Sequence, residues 1–392
     1  MNKDPGILFE DGYSSTDGKK YTVAPTIRQG QCQLKTDALL PPTELPKGMV
    51  PSMTEIEATP SCGLRMVSTF SGCGGSCLGF RMAGYRTLWA SEFVPIAAET
   101  YRLNHPGVHV DERDIREVQA QDILDTAGLG VGELDVFEGS PPCASFSTAG
   151  KREAGWGKVK KYSDMKQRTD DLFFEYIRLL EGLQPKVFVA ENVKGLVMGK
   201  AKGYFVQIHA AMKQAGYRVS CRVLDAQYFG VPQHRERAIF VGVRNDLEVA
   251  PSHPKPQTQP VALKEALPWI EIKAIGETRL LPPSRIRRLQ DANSDFSVQE
   301  ASPKKPCPTI TISSAGNDVI PASPEKRKFT IPELRRICGF PDDFQLPGTY
   351  AQQWERLGRA VPPPMMQAVA AHIRDEILTP TLEATGEKFE VR

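Results

Sequence analysis

The sequence predicts an α/β protein: a mostly parallel sheet covered by helices on both faces, with an irregular segment inserted before the last helices. Three observations predict it. Short apolar runs of strand length alternate with helical patterns between residues 65 and 244. The first such run leads into a Gly-rich turn and the next two end in acids, as strands do at the ligand-binding edge of open α/β sheets. The alternation then lapses at about residue 245, in PSHPKPQTQP, and helical order returns only near 329.

Residues 1–62, rich in Pro, Thr, Gly and Lys with weak periodicity, read as a partly irregular N-terminal extension. An α/β domain follows over 63–245. RMVSTF is its first strand, SGCGGS a turn and CLGFRMAGY the start of a helix. TLWASEF is the second strand, IAAETYRLNH a helix, and VHVDERDI the third strand with its end at Asp114. LDVFEGS, VFVAENV and RAIFVGVR supply further strands; LFFEYIRLLEGL and VQIHAAMKQAGY supply helices between them. Residues 246–328 hold short irregular segments. The return, 329–392, opens with KFTIPELRRICGFP, where Thr330 can cap a helix and Pro332 sits in its first turn. It continues in PPPMMQAVAAHIRDEIL, apolar at 365, 366, 369, 370 and 373, which is one face of a helix. The chain contains no internal repeat.

The 392 residues are 40% hydrophobic and 24% charged, ordinary values for a globular chain. No apolar run approaches a membrane span, and the first 20 residues lack the apolar core of a signal peptide. Eight dispersed cysteines fit reduced thiols and a cytoplasmic protein better than a disulfide framework. None has zinc-site spacing, because Cys73 and Cys77 have no second pair nearby, so no metal is expected. A net charge of +2 neither requires nor excludes nucleic acid. Cations do cluster: Lys151, Arg152, Lys158, Lys160, Lys161, Lys166 and Arg168; Arg285, Arg287 and Arg288; Lys326, Arg327 and Lys328. Each cluster is either a solvated loop or a set of phosphate contacts.

Four motifs carry chemistry. STFSGCGGSCLGF follows a strand and opens a helix, so its glycines either make a tight structural turn or let backbone approach a ligand. With Glu92 and Asp114 at the ends of the next two strands, the set reads as a nucleoside site. The spacing is not G-x-G-x-x-G, which favours a mononucleoside such as S-adenosylmethionine over a dinucleotide. In SPPCASFS, Cys143 stands on a Pro141–Pro142 corner past a strand, followed by Ser145 and Ser147; it is either a small buried residue or a nucleophile held in one pose. In AENVKGL, Glu191 is either a structural cap or a proton donor at the same edge. In QHRER, period two puts Arg235 and Arg237 on one face, suited to a phosphate or carbonyl oxygen, or simply exposed on an edge.

Over residues 65–378 these motifs resemble the DNA (cytosine-5) methyltransferase family. FSGCGGSCLGF is similar to its cofactor motif, SPPCASFS to its nucleophile motif, ENV to its acid motif and QHRER to its arginine motif. LRRICGFPDDF and GRAVPPPMMQAVA look like its last two motifs, all six in the family's order. The resemblance implies the Rossmann-like fold of S-adenosylmethionine-dependent methyltransferases, with a mixed, mostly parallel sheet and a small irregular target-recognition domain over 246–328. It implies a methyl transfer to C5 of cytosine in duplex DNA, with Cys143 adding to C6 and making the base an enamine. Glu191 would contact N3 and the exocyclic amine, Arg237 the base's O2, and Arg235 the thiol and a phosphate. Phe70, Gly72, Gly74, Gly75, Leu78, Glu92, Asp114, Ile115 and Pro142 would hold S-adenosylmethionine, with Arg359 beside them. The base must be flipped out of the duplex. That gives 149–168 a role as a lid, with Ser147, Lys151, Arg152, Lys160 and Lys161 facing DNA. Arg285, Arg287 and Arg288, with Asn293, are candidates for reading bases; residues 306–317 resemble a hinge. No protein partner is required and a monomer is expected.

The chain departs from the family at two positions. Arg359 stands where relatives usually carry Asn, and could pair with an acid, a phosphate or the carboxylate of a carboxylated S-adenosylmethionine, installing a carboxymethyl group instead of methyl. Ala144 stands where many carry Gln. Residues 1–62 match nothing. Competing readings are an RNA cytosine methyltransferase, whose Cys-Phe-Thr tripeptide the sequence lacks; a DNA-binding regulator with an inactive site; and a hydride-transferring enzyme, which gives Cys143, Glu191 and the arginines no joint role.

Overall fold

The computed structural model describes residues 48–142, 160–162, 165–167, 171–197, 202–270, 276–284, 286, 299–312, 319–323 and 326–385, with backbone only at 160–162, 165–167, 202, 384 and 385. Seven strands form the central sheet: β1 (Arg65–Thr69), β2 (Arg86–Ser91), β3 (His109–Asp111), β4 (Val136–Gly139), β7 (Val187–Val193), β8 (Tyr217–Asp225) and β9 (Glu236–Arg244). A two-stranded antiparallel pair, β5 (Lys160–Tyr162) and β6 (Met165–Gln167), lies between β4 and β7 in the chain. The sheet order is β3-β2-β1-β4-β7-β9-β8, and β9 runs antiparallel to both of its neighbours, so the sheet is mixed and mostly parallel. Strands β1, β4 and β7 are buried on both faces, which is why they read as continuous apolar runs and not as alternations.

The chain passes from β1 outward to β2 and β3, then returns to place β4 on the other side of β1. The strand order therefore reverses between β1 and β4, the position at which open α/β sheets place a ligand crevice. On one face, helix Gly75–Met82 packs on helix Pro363–Ile373 so closely that a Cβ on Gly79 would lie 2.5 Å from Pro363 O. On the other face, helices Ala120–Ala127, Leu172–Leu183 and Lys202–Gln214 cover a core that includes Phe137, Tyr176, Phe188 and Phe240.

The structure adds to the sequence reading in three places. Helix Lys202–Gln214 stops before Gly216, whose φ of 100° reverses the chain, and Tyr217 begins β8. The sequence pattern runs that helix on to Tyr217 and offers no strand there, because β8 is a half-exposed edge strand with no apolar run. The third strand ends at Asp111 and not at Asp114; Asp111 spends its carboxylate on Arg113, 2.7 Å away, and the chain turns off the sheet. Residues 48–62 are fastened to the α/β unit: helix Met53–Glu57 is capped by Ser52 and Glu55, Met53 N donates to Asp343 at 3.0 Å, and Cys62 N donates to Gly84 O.

The described part of 246–328 includes the short helix Leu263–Ala266 and a parallel pair, β10 (Gln299–Ala301) with β11 (Val319–Pro321). Leu263, Leu267, Ala301, Cys307 and Ile310 share a core with Phe329, Leu334, Phe340 and Trp354 of the return. No helix among the described residues is long and apolar enough to cross a membrane.

Candidate active site

The turn after β1 is built by backbone that only special residues tolerate. Phe70 has φ 54°, a left-handed conformation that is a strained position for an aromatic residue and one concentrated at functional sites. Gly72 (φ 57°) faces open space, since an added Cβ would meet nothing within 4 Å. Gly74 (φ 89°) caps helix Gly75–Met82, and its carbonyl lies 3.2 Å from His105 Nε2. Burial pushes the His105 imidazole down to about 3, so it is a neutral prop stacked on Tyr101. A Cβ on Gly75 would lie 2.5 Å from Val361 O, which brings the GRAVPP segment against the same turn.

Gly74→Ala is expected to fail on two counts. Its Cβ would run into His105 Nε2, and an L side chain at this φ costs about 1–2 kcal/mol. We expect a lower melting temperature in thermal unfolding.

Glu92 follows β2 and is buried. Its Oε2 accepts from Gly72 N and its Oε1 from Val94 N, each at 2.8 Å. Burial raises its carboxyl, opposed by those two amides and by the Arg359 guanidinium. It thus ties the Gly-rich turn to the second strand and still has lone pairs for a ligand hydroxyl. The other expected cofactor residues differ. Asp114 lies three residues past β3 and is held by Arg116 at 2.9 Å, which itself pairs with Asp171. Ile115 is buried among Val67 and Trp89. Leu78 is fully buried in the cluster of Cys73, Phe340 and Trp354, so its side chain is core and only its backbone is left for a ligand.

Cys143 and Ser147 lie outside the described residues, as do Lys151, Arg152, Arg285, Arg287 and Arg288; Lys160 and Lys161 are described as backbone of β5 alone. The approach to Cys143 is described up to Pro142. Asn192 Nδ2 donates to Pro141 O at 3.0 Å, pinning the start of that turn to β7. The neighbouring residue, Glu191, is 7% exposed and pairs with Arg237 through Nε–Oε1 at 2.8 Å. They are diagonal neighbours on the antiparallel β7–β9 ladder, where Glu191 faces Ile239 and Arg237 faces Val193. Burial lowers the Arg237 guanidinium, and Glu191 acts against that.

Of the partners expected for Arg235, a phosphate or a carbonyl oxygen, it holds carbonyl oxygens. It is 1% exposed and donates to Ile310 O at 3.0 Å and to Gly358 O at 2.8 Å. Burial, reinforced by Arg237, pushes it down to about 9, so it remains charged at neutral pH. A guanidinium committed to two internal carbonyls ties residue 310 and the GRAVPP segment to the start of β9. Gln233 acts alongside it, buried and receiving Ile310 N at 3.1 Å. Arg359 ends helix Tyr350–Arg359 and is paired with Glu355 at 2.7 Å.

Sequence reasoning missed Asn192 as a tether, Gln233 as a clamp and Glu138 on β4. The last is 1% exposed and accepts from Ser68 Oγ at 2.6 Å and Ser76 Oγ at 2.7 Å. Its one signal was a carboxylate inside an apolar strand, VFEG.

A family model, the C-5 cytosine-specific DNA methylase, matches residues 64–278 and 271–375. The chain is 32% identical over 327 residues to the type II methyltransferase M.NlaX of Neisseria lactamica, covering 79% of this chain and 96% of that one. It is 31% identical over 328 residues to M.NgoFVII of Neisseria gonorrhoeae, covering 76% and 83%. Its fold is similar to that of a protein described as a DNA modification methyltransferase encoded within an E. coli prophage, with TM-score 0.62, 21% identity and coverage of 80% and 99%.

Proposed function

The chain belongs to the C-5 cytosine-specific DNA methylase family, and from that premise we propose that Cys143, Glu191 and Arg237 carry out the methylation. The enzyme is a DNA (cytosine-5) methyltransferase, and its family uses S-adenosylmethionine. The observation that carries the residue assignment is the Arg237–Glu191 pair, beside Asn192, which holds Pro141 O two residues before Cys143.

C5 of cytosine is a weak nucleophile. The Cys143 thiolate adds at C6, pushing electrons toward C5 as the ring becomes an enamine. Glu191, steadied by Arg237, supports the proton at N3 as the charge shifts, and the Arg237 guanidinium faces O2. Once C5 carries the methyl, water takes the C5 proton, the freed electron pair restores the C5–C6 double bond, and Cys143 leaves as thiolate. The cofactor supplies the electrophilic methyl. The turn fits such a nucleoside: Gly72 opens on free space, Gly74 and Gly75 keep the backbone low, and Glu92 offers a carboxylate beside them. Phe70 and Pro142 would flank it.

The cations at 151–168 we read as a lid on duplex DNA and residues 246–328 as the target reader, with one chain in the cytoplasm supplying every group. One observation favours a second cofactor reading, carboxymethyl transfer from a carboxylated S-adenosylmethionine: the Arg359 charge acts on Glu92, so it stands near the proposed site. Against it, Glu355 already pairs with that guanidinium.

Nucleoside mass spectrometry of treated duplex DNA separates the two. 5-Methylcytosine with the ordinary cofactor, unchanged in Arg359→Asn, is expected. Carboxymethylcytosine lost in that variant would instead make Arg359 the cofactor selector, and no modified cytosine from either would overturn the assignment.

A further inference from the structure

Glu138 is a buried carboxylate that the proposed chemistry does not use. It stands on β4 opposite Ser68 of β1, five residues before Cys143. Its two oxygens accept from Ser68 and Ser76, on the strand and the helix that bracket the Gly-rich turn. Ser68 Oγ is also 2.8 Å from Ser71 Oγ, and Ser71 sits in that turn between Phe70 and Gly72. Ser140, at the base of the cysteine turn, adds a further hydrogen bond. One side chain thus joins the two loops that must meet when a methyl group is transferred.

We propose that Glu138 is a positioning residue of the cofactor site, whose charge sets the direction of the Ser71–Ser68 hydrogen-bond chain and so the pose of the Gly-rich turn. The inference rests on the reading of that turn as the cofactor site. When Glu138 is ionised it can only accept. Ser68 must then donate to it, and Ser71 must donate to Ser68. When Glu138 carries a proton, its hydroxyl donates to one of the serines; donation to Ser68 frees that hydroxyl to turn and donate to Ser71. The Ser71 lone pairs and hydrogen exchange places beside the ligand.

Burial pushes the Glu138 carboxyl up to about 7, with Glu191 of β7 adding to the rise and the serine hydroxyls opposing it. The other titratable groups acting on or responding to it are Cys77, Tyr101 and Tyr176, all neutral at this pH because burial raises them. The reversal therefore falls near neutral pH. The ionised form gives an unbroken chain of donors and a negative charge beneath a site for a sulfonium cation, so binding should tighten above pH 7.

The test is calorimetric binding of S-adenosylmethionine and of S-adenosylhomocysteine to the full chain from pH 5.5 to 8.5, with wild type and Glu138→Gln. Wild-type affinity for S-adenosylmethionine should rise by at least about fivefold across pH 7, the lower end of ordinary coupling between two bound groups. The rise should be smaller for the uncharged thioether. Glu138→Gln should bind weakly and without the step, raising KM for the cofactor at pH 8 while leaving KM for DNA in place. The free protein gives a second readout. Between about pH 4.5 and 7 the folded state keeps a proton on Glu138 that the unfolded chain has shed, so wild-type stability falls with rising pH across this window and Glu138→Gln removes that slope. If the glutamine variant fails to fold, Ser71→Ala, which leaves the carboxylate alone, should still weaken binding and flatten the step. A wild-type protein that binds neither compound would overturn the cofactor-site reading and this inference with it. Binding with the same step in Glu138→Gln would overturn this inference alone.

Discussion

Cys143→Ala protein is expected to bind duplex DNA and S-adenosylmethionine and yet yield no 5-methylcytosine. Without a thiolate at C6, C5 is never made electron-rich enough to take a methyl group, and no second nucleophile can substitute. Turnover should fall by at least about 10⁴-fold, the scale on which removing a covalent nucleophile acts in other enzymes. Duplexes carrying 5-fluorocytosine make the prediction direct. The fluorine cannot leave as a proton does, so wild type should form a complex with DNA that survives denaturant, and Cys143→Ala should not. The thiols among the described residues make poor substitutes. Burial holds Cys73 and Cys77 up at about 12 and Cys338 at about 11, so they are protonated at neutral pH. A denaturant-stable adduct in the alanine variant would remove Cys143 from the proposed chemistry.

The parts of the fold legible in sequence are those whose signals are local. β1, β4 and β7 lie at the sheet centre, and burial on both faces writes itself as apolar runs. The strand-end turns were legible because Gly, Pro and acid residues there serve local backbone geometry. β8 was not, since a half-buried edge strand next to a helix carries little periodicity. The end of β3 was misplaced because three acids, Asp111, Glu112 and Asp114, follow one another, and only the Arg113 and Arg116 pairings show which of them closes the strand.

The candidate site divides along the same line. Glu191 and Arg237 could be named from motifs, but their pairing depends on an antiparallel register between β7 and β9 that sequence spacing does not carry. Period two places Arg235 on one face with Arg237 but cannot name which carbonyls it meets. Its contacts, the carbonyls of Ile310 and Gly358, come from segments 75 and 123 residues away, beyond any local pattern. Glu138 was passed over for the same reason: its serine partners are 70 and 62 residues distant in the chain, so a buried acid in a strand looked like one polar residue in an apolar run.

Arg237→Ala carries the second large effect, and it should damage stability and chemistry separately. The Arg237–Glu191 contact is 2.8 Å, with side chains 12% and 9% exposed. Removing the guanidinium leaves Glu191 with its strongest partner gone and little water to replace it, at a cost of about 3–5 kcal/mol. Stability should therefore fall by that amount, as thermal or denaturant melts can show. Activity should fall further than folding explains, by about 10²–10⁴-fold, because the base loses the group facing O2 and Glu191 loses its orientation. Glu191→Gln separates the two. It keeps the shape and can still accept from Arg237, but leaves the guanidinium without its counter-charge, so it should lose less stability than Arg237→Ala while kcat falls over the same range. If Glu191→Gln retained full turnover, Glu191 would be a structural anchor for Arg237 and the proton at N3 would need another source. If Arg237→Lys, which keeps the charge but not the planar fork, restored both folding and rate, the guanidinium would matter only as a cation and its place against O2 would have to be abandoned.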